Sequence, residues 1–334
     1  MIITRTPFRV SLFGGGSDYP AWYREYGGSV LGFTINRYCF ISVRRLPPFF
    51  DHKHRIVYSF IENVKEISEI KHPSVRAVLT EMGIQDGLEI HHDGDLPARS
   101  GLGSSSAFTV GLVHALHALA GRLRSQRELA DEAIHIEQEV IRENVGTQDQ
   151  IWAAYGGFNR IDFRPDGNYE VMPVLLTQER LCGLQDHFML LFSGVSRYAS
   201  EIAAEQISNL HHRARHIHRM VSLVNEAAAT LGGPTRPLSE IGELLHETWM
   251  LKRELASNVS NDTIDEIYKT ARTAGAVGGK LLGAGGGGFI LLFVEPEKQP
   301  AVRRSLSRLV EVDFKIERSG SRVVVYEPNG LDHV

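Results

Sequence analysis

The chain has 334 residues, of which 43% are hydrophobic and 23% charged, and its formal net charge is -4. That length exceeds what one hydrophobic core usually supports and predicts two domains, while the charge balance, without a long Lys/Arg block, argues against a nucleic-acid or membrane surface as main partner. Cys39 and Cys182 are too few and too far apart for a disulfide framework or zinc spacing, no apolar run has the length of a membrane span, and the N-terminus lacks an export signal, so a reducing cytoplasm is the expected compartment.

In chain order, short strands are predicted over 2–6, 10–13, 38–43, 56–59 and 88–92. A first glycine cluster, Phe13-Gly14-Gly15-Gly16-Ser17-Asp18-Tyr19, follows the second of them. A second runs from Leu96-Pro97-Ala98-Arg99-Ser100-Gly101-Leu102-Gly103 through Ser104-Ser105-Ser106-Ala107 into a helix, on which Phe108, Leu112, Ala115, Leu116 and Leu119 recur until Gly121 stops it. Gly101 and Gly103 let backbone N–H groups turn inward, and the positive end of the helix dipole points at whatever sits there, so the expected occupant is phosphate. The alternative is a plain Gly/Ser connection with a serine N-cap.

Ser125 and Glu128 form a capping box for a helix to about 143, ending at Asn144 and Gly146, and Thr147 with Gln150 suggests another for a helix over 148–155. A strand over 158–163 and the turn Arg164-Pro165-Asp166-Gly167 lead to a domain boundary between 165 and 185. Beyond it come a strand at 188–192, helices over 197–231, 237–256 and 260–275, and the third glycine cluster, Gly283-Ala284-Gly285-Gly286-Gly287-Gly288. A strand at 289–294, a helix near 297–310 and strands near 312–317 and 322–326 complete an α+β pattern, divided as 1–175 and 176–334.

Other readings of these motifs fail on order or composition. The third cluster contains GxGxxG but precedes a strand, the reverse of a dinucleotide fingerprint, and Gly279-Lys280 is followed by Leu281 where a Walker A motif needs Ser or Thr. His211, His212, His216 and His218 crowd one helix with Arg213, Arg215 and Arg219, and His91-His92-Asp93 ends a strand, but no second ligand pair completes a tetrahedral set, so a solvated or cleft-lining basic face is expected. No GxSxG elbow supports hydrolase chemistry.

Two carboxylates stand out. Glu137 shares a helix face with Ala130, Ile134 and Ile141, where an unpaired carboxylate is unfavourable; beside a triphosphate its natural partner is Mg²⁺, and the alternative is a salt bridge, to Arg142 for instance. Asp149 lies in the first turn of its helix, where the dipole favours the ionised form, whether it reacts or merely complements that dipole.

Together the three clusters resemble the motifs of the GHMP kinases: Arg9 to Asp18, then Pro97-x-x-x-Gly101-Leu102-Gly103-Ser104-Ser105, then Lys280-Leu281-Leu282-Gly283-Ala284-Gly285-Gly286-Gly287. The resemblance implies the GHMP kinase fold, an N-terminal domain like part of ribosomal protein S5 and a C-terminal ferredoxin-like domain, with ATP between them, Mg²⁺, and γ-phosphoryl transfer to a small alcohol. It implies an ATP phosphate loop of Pro97, Arg99, Ser100, Gly101, Leu102, Gly103, Ser104, Ser105 and Ser106, with Ser105 and Glu137 on the metal. In Gly146-Thr147-Gln148-Asp149-Gln150 it makes Asp149 the general base or the group orienting the acceptor hydroxyl, with Arg9 as charge partner near the transferring phosphoryl.

The segment from Arg5 to Pro20 further resembles bacterial D-glycero-D-manno-heptose 7-phosphate kinases and the kinase part of fucokinases, departing mildly at Leu12 and Ser17. This implies anomeric phosphorylation of the heptose 7-phosphate to a 1,7-bisphosphate, for GDP-heptose and capsule or surface polysaccharide synthesis. Gly15, Gly16, Asp18, Tyr19, Thr147, Gln148, Arg197, Gly285 and Gly286 are the candidate substrate residues, Arg197 for the distal phosphate. The partners implied are ATP and a sugar phosphate, with no nucleic acid and no membrane, and an oligomer is compatible. The alternatives are a kinase for an unphosphorylated sugar such as fucose or galactose, and a non-catalytic sugar and nucleotide sensor.

Overall fold

The computed structural model describes residues 1–194 and 199–329. Its strands are β1 Ile2–Phe13, β2 Gly28–Arg45, β3 His54–Val57, β4 Ile61–Val64, β5 Leu88–Gly94, β6 Phe158–Phe163, β7 Tyr169–Pro173, β8 Phe188–Phe192, β9 Ala276–Leu281, β10 Phe289–Val294, β11 Val310–Glu311, β12 Ile316–Glu317 and β13 Arg322–Tyr326. The helices are α1 Pro20–Tyr26, α2 Pro73–Glu81, α3 Ser104–Leu119, α4 Gln126–His135, α5 Gln148–Tyr155, α6 Gln178–Asp186, α7 Ala199–Asn209, α8 Ala214–Gly232, α9 Ser239–Arg253, α10 Asp262–Thr273 and α11 Gln299–Ser305.

The first sheet has nine strands, ordered β13-β1-β2-β5-β3-β4, with β12 and β6 also paired to β2 and β7 paired to β6. The long β1 and β2 run antiparallel from Ile2↔Val43 to Phe13↔Leu31. The sequence predicts two strands in place of β1, interrupted near Pro7. The chain instead stays extended, and the register shifts between Pro7 and Phe8, the kind of irregularity at which a residue without an N–H is tolerated. Helices α3 and α5 pack on this sheet, and Phe8, Phe13, Phe33 and Trp152 lie in the core. The second sheet is antiparallel in the order β11-β8-β10-β9, with α9 packed on β9 and β10.

After the second sheet the chain returns to the first, where β13 pairs with β1 from Ile2↔Tyr326 and β12 with β2 at Ile316↔Ile35. A single cut between 175 and 176 therefore does not separate the two sheets, because an edge strand's partner is set by tertiary pairing. The long helix expected from 126 stops as an α-helix at His135 and continues as a π-helical turn over Ile136–Val140, after which Arg142 takes a φ of 62°. The helix expected over 197–231 is broken between α7 and α8. Among the described residues no helix is long and apolar enough to cross a membrane.

Candidate active site

The second glycine cluster is a loop that ends on a helix N-terminus. Gly103 is the N-cap of α3 in the left-handed conformation with no side-chain cap, so the serine N-cap alternative does not hold, and the first turn carries no acidic residue. The leading N–H groups of α3 are therefore free for an anion. Gly101, at φ 84°, has no room for a side chain: a Cβ would come within 2.6 Å of the Leu282 carbonyl oxygen. That contact joins the second and third clusters, and the Phe289 N–H donates to the Ser100 carbonyl at 3.0 Å across the same seam. Ser100 is buried with its hydroxyl unpartnered, Leu102 is buried, and Pro97 and Arg99 are exposed, Arg99 with a φ of 59° and its N–H on Ser104 Oγ at 3.2 Å.

Arg9 and Asp149 meet beside this loop. β1 brings Arg9 in, buried, and the first turn of α5 brings Asp149. The guanidinium holds the carboxylate in a fork, Nε to Oδ1 at 2.7 Å and Nη2 to Oδ2 at 2.7 Å. Its third contact is Nη1 to the Gly101 carbonyl at 2.5 Å, and its backbone N–H reaches the Leu102 carbonyl at 3.0 Å. One arginine thus fixes both the carboxylate and the loop, with the planar bidentate geometry that a lysine lacks. The Asp149 side chain is 23% exposed, against 6% for Arg9, so the open side of the pair is the carboxylate.

Asp18 lies next to this pair. Its Oδ1 accepts the Gly16 N–H at 2.9 Å, its carbonyl accepts the Thr147 N–H at 3.0 Å, and a Cβ on Gly146 would come within 1.8 Å of Oδ2. Burial, then the charge of Asp149, pushes its carboxyl above the usual range. Gln148 hydrogen-bonds Asp18, and the nearest atoms to a Cβ on Gly15 would be Ser11 Oγ at 3.8 Å and Gln148 Nε2 at 4.0 Å. Thr147 does not cap α5; its hydroxyl donates to Tyr23 Oη at 3.3 Å and accepts from Gln138 at 3.1 Å. Tyr19 is buried in an apolar cluster with Trp22, Ile217 and Leu255. Gly285 and Gly286 lie elsewhere in the third turn, with the Gly286 N–H on the Val259 carbonyl at 2.9 Å and its own carbonyl on Asn261 at 3.2 Å. Arg197 lies outside the described residues.

Glu137 is fully buried in the π-helical turn. Its Oε2 accepts from Ser106 Oγ at 2.8 Å and from Gln150 Nε2, while Oε1 has no partner. Burial pushes its carboxyl up to about 7. The hydroxyl expected beside it, Ser105, is exposed, and Ser106 takes the contact because α3 begins at Ser104 and turns Ser106 and Thr109 inward. The salt bridge to Arg142 does not form; Arg142 is exposed. A buried carboxylate with one unpaired oxygen, a serine hydroxyl beside it and a phosphate-type loop nearby is a donor set that suits Mg²⁺.

Sequence reasoning passed over Lys252, a buried amine on α9, although it lies on the stripe of Ile241, Leu245, Thr248 and Trp249 and carries the same signal that marks Glu137, a charge on an apolar face. The histidines of α8 form no metal cluster among the described residues: His216 bonds Glu254 at 2.7 Å and His218 packs edge-on to Trp22. Two surface cavities, of about 540 Å³ around Phe40 and Glu89 and about 470 Å³ around Arg253 and Asp262, contain none of the predicted site residues.

An anion loop facing an arginine-clamped carboxylate, at the seam where two sheets of an α+β frame meet, is the layout of a small-molecule phosphotransferase. The chain belongs to the GHMP kinase family, which uses ATP as phosphate donor: residues 68–157 match the GHMP kinases N terminal domain and 226–312 the GHMP kinases C terminal domain. It is 29% identical over 317 residues to D-glycero-alpha-D-manno-heptose 7-phosphate kinase of Campylobacter jejuni, covering 92% of this chain and 93% of that protein. It is 26% identical to the bifunctional fucokinase/GDP-fucose pyrophosphorylase of Arabidopsis thaliana, over 93% of this chain and 31% of the longer protein. Its fold matches the crystal structure of a D-glycero-D-manno-heptose 1-phosphate kinase from Bacteriodes thetaiotaomicron with a TM-score of 0.79 at 22% identity, covering 98% of this chain and all of that one.

Proposed function

We propose that this kinase transfers the γ-phosphoryl group of ATP to the anomeric hydroxyl of D-glycero-D-manno-heptose 7-phosphate, giving the 1,7-bisphosphate for GDP-heptose and surface polysaccharide synthesis. The observation that carries the chemistry is the Arg9–Asp149 fork tied to the Gly101 carbonyl, which sets an accessible carboxylate beside the anion loop. The heptose choice is supported by the Campylobacter relative and by the segment from Arg5 to Pro20.

In the proposed reaction Asp149 orients the anomeric hydroxyl and accepts its proton as the oxygen bonds to the γ-phosphorus, and the bond from that phosphorus to the bridging oxygen of ADP breaks. Arg9 keeps Asp149 aligned and places positive charge where the transferring group passes; the N–H groups of the loop and of α3 bind the phosphates. Glu137 with Ser106 would hold Mg²⁺, which when bound neutralises phosphate charge. Asp18, its carboxylate oriented by Gly16 and Gln148, would hold sugar hydroxyls, a carboxylate being able to accept two side by side. A soluble compartment, the cytoplasm, follows from ATP as donor.

The test is phosphorus NMR of the product made from the heptose 7-phosphate, Mg²⁺ and ATP. A second phosphate coupled to the anomeric proton supports the reading. A phosphate on any other carbon, or none, rejects it.

A further inference from the structure

Lys252 ends the buried stripe of α9, and its Nζ donates to the Leu281 carbonyl at 2.9 Å and to the Gly283 carbonyl. Those carbonyls close β9 and open the third glycine turn, where Gly283 rests on the phosphate loop so tightly that a Cβ on it would come within 2.5 Å of Gly101 Cα. On the far side of that contact Arg9 Nη1 holds the Gly101 carbonyl at 2.5 Å. Two basic side chains therefore tie the carbonyls of both loops from behind, the orientation that leaves backbone N–H groups to face an anion.

No carboxylate forms an ion pair with Lys252 among the described residues. A neutral amine has two N–H bonds, and the two carbonyls accept both; an ammonium has a third that neither carbonyl takes. The charged groups facing it are Arg9 on β1, Asp18 beyond it and Lys280 on β9, whose own Nζ is buried on the Leu12 carbonyl at 2.9 Å. From α8, His216 and Arg219 are engaged by Glu254 and Glu247, and β10 is apolar throughout. Burial, then Arg9, pushes the amine down to about 7, with Asp18 opposing.

We propose that Lys252 takes up a proton when the nucleotide phosphates settle at the glycine loops, so that ATP binding is coupled to protonation of this amine, whose charge then counters the polyanion from behind the third turn. The inference rests on the kinase reading above. It makes Lys252 a positioning residue for the loops and a source of charge.

The test is isothermal titration of the enzyme with magnesium and a non-hydrolysable ATP analogue, at about pH 8 in buffers of different ionisation enthalpy, which yields the number of protons exchanged. The wild type is expected to take up close to one proton and to lose affinity by up to about tenfold per pH unit above about 7, while Lys252→Gln takes up none and loses that slope. Binding by the wild type without proton uptake overturns this inference and leaves the kinase reading standing. Persistence of the uptake in Lys252→Gln also overturns it, and failure to bind the analogue at any pH overturns both. The wild-type measurement decides the matter if the variant does not fold.

Discussion

Glu137→Gln separates the folding role of the buried carboxylate from its proposed metal role. Burial raises this carboxyl from 4.5 to about 7, and at about 1.4 kcal/mol per pH unit the ionised form destabilises the folded protein by about 3 kcal/mol. The direction follows from proton counting. Between those two values the folded state binds more protons than the unfolded state, so the stability is complete below the lower value and is lost as pH rises through the upper one. Glutamine has the same shape, keeps an oxygen for Ser106 and Gln150, and never ionises. Chemical denaturation at about pH 4 and about pH 8 without Mg²⁺ should therefore show the variant close to the wild type at the lower pH and more stable by about 3 kcal/mol at the higher. Added Mg²⁺ and nucleotide should narrow that gap by stabilising the wild type and should restore no activity to the variant. A stability difference that does not change with pH would refute the reasoning, because it would mean that Glu137 is not ionised against its burial.

Asp149→Asn removes the negative charge and leaves Arg9 one acceptor oxygen, with an amide NH2 set against its other N–H, and it should lower kcat by about 10²- to 10⁴-fold with a smaller change in the KM for ATP, measured by coupled ADP release. Arg9→Lys should be nearly as damaging, since an ammonium cannot hold both oxygens of Asp149 and the Gly101 carbonyl together. Gly146→Ala places a methyl group 1.8 Å from Asp18 Oδ2, so the KM for the sugar should rise more than the KM for ATP while the circular dichroism spectrum stays unchanged. Ser106→Ala should reduce activity more than Ser105→Ala, and a larger loss from Ser105→Ala would place the working hydroxyl on the exposed serine.

Much of the site was legible because its chemistry is local. The run Gly101-Leu102-Gly103 before an apolar helix, and Glu137 on an apolar face, carry their meaning in a few neighbouring residues, and α3 and the strand Phe158–Phe163 follow from short-range periodicity. The fork between Arg9 and Asp149 joins residues 140 positions apart; family resemblance singled out each residue for the phosphoryl site, but their pairing is visible only in the folded chain. The choice of Ser106 over Ser105 depends on the rotation of α3, which one residue of uncertainty at the helix start reverses. The return of β12 and β13 to the first sheet, the unbroken β1 across Pro7 and the π-helical turn holding Glu137 are decided by tertiary packing, against the local signals. Lys252 was readable by the rule that found Glu137, but a lysine near a helix C-terminus also has an ordinary reading as complement to the dipole.

The most direct test of the account is kcat/KM for ATP-dependent phosphorylation across a panel of D-glycero-D-manno-heptose 7-phosphate, sedoheptulose 7-phosphate, mannose 6-phosphate, fucose, galactose, mevalonate and homoserine, with Asp149→Ala as control. The account predicts that the heptose phosphate is turned over far better than every other compound and that the control abolishes it. Preferred turnover of fucose or galactose would contradict the heptose assignment while leaving the kinase chemistry in place, and turnover of nothing in the panel would favour a sensor built on the same fold.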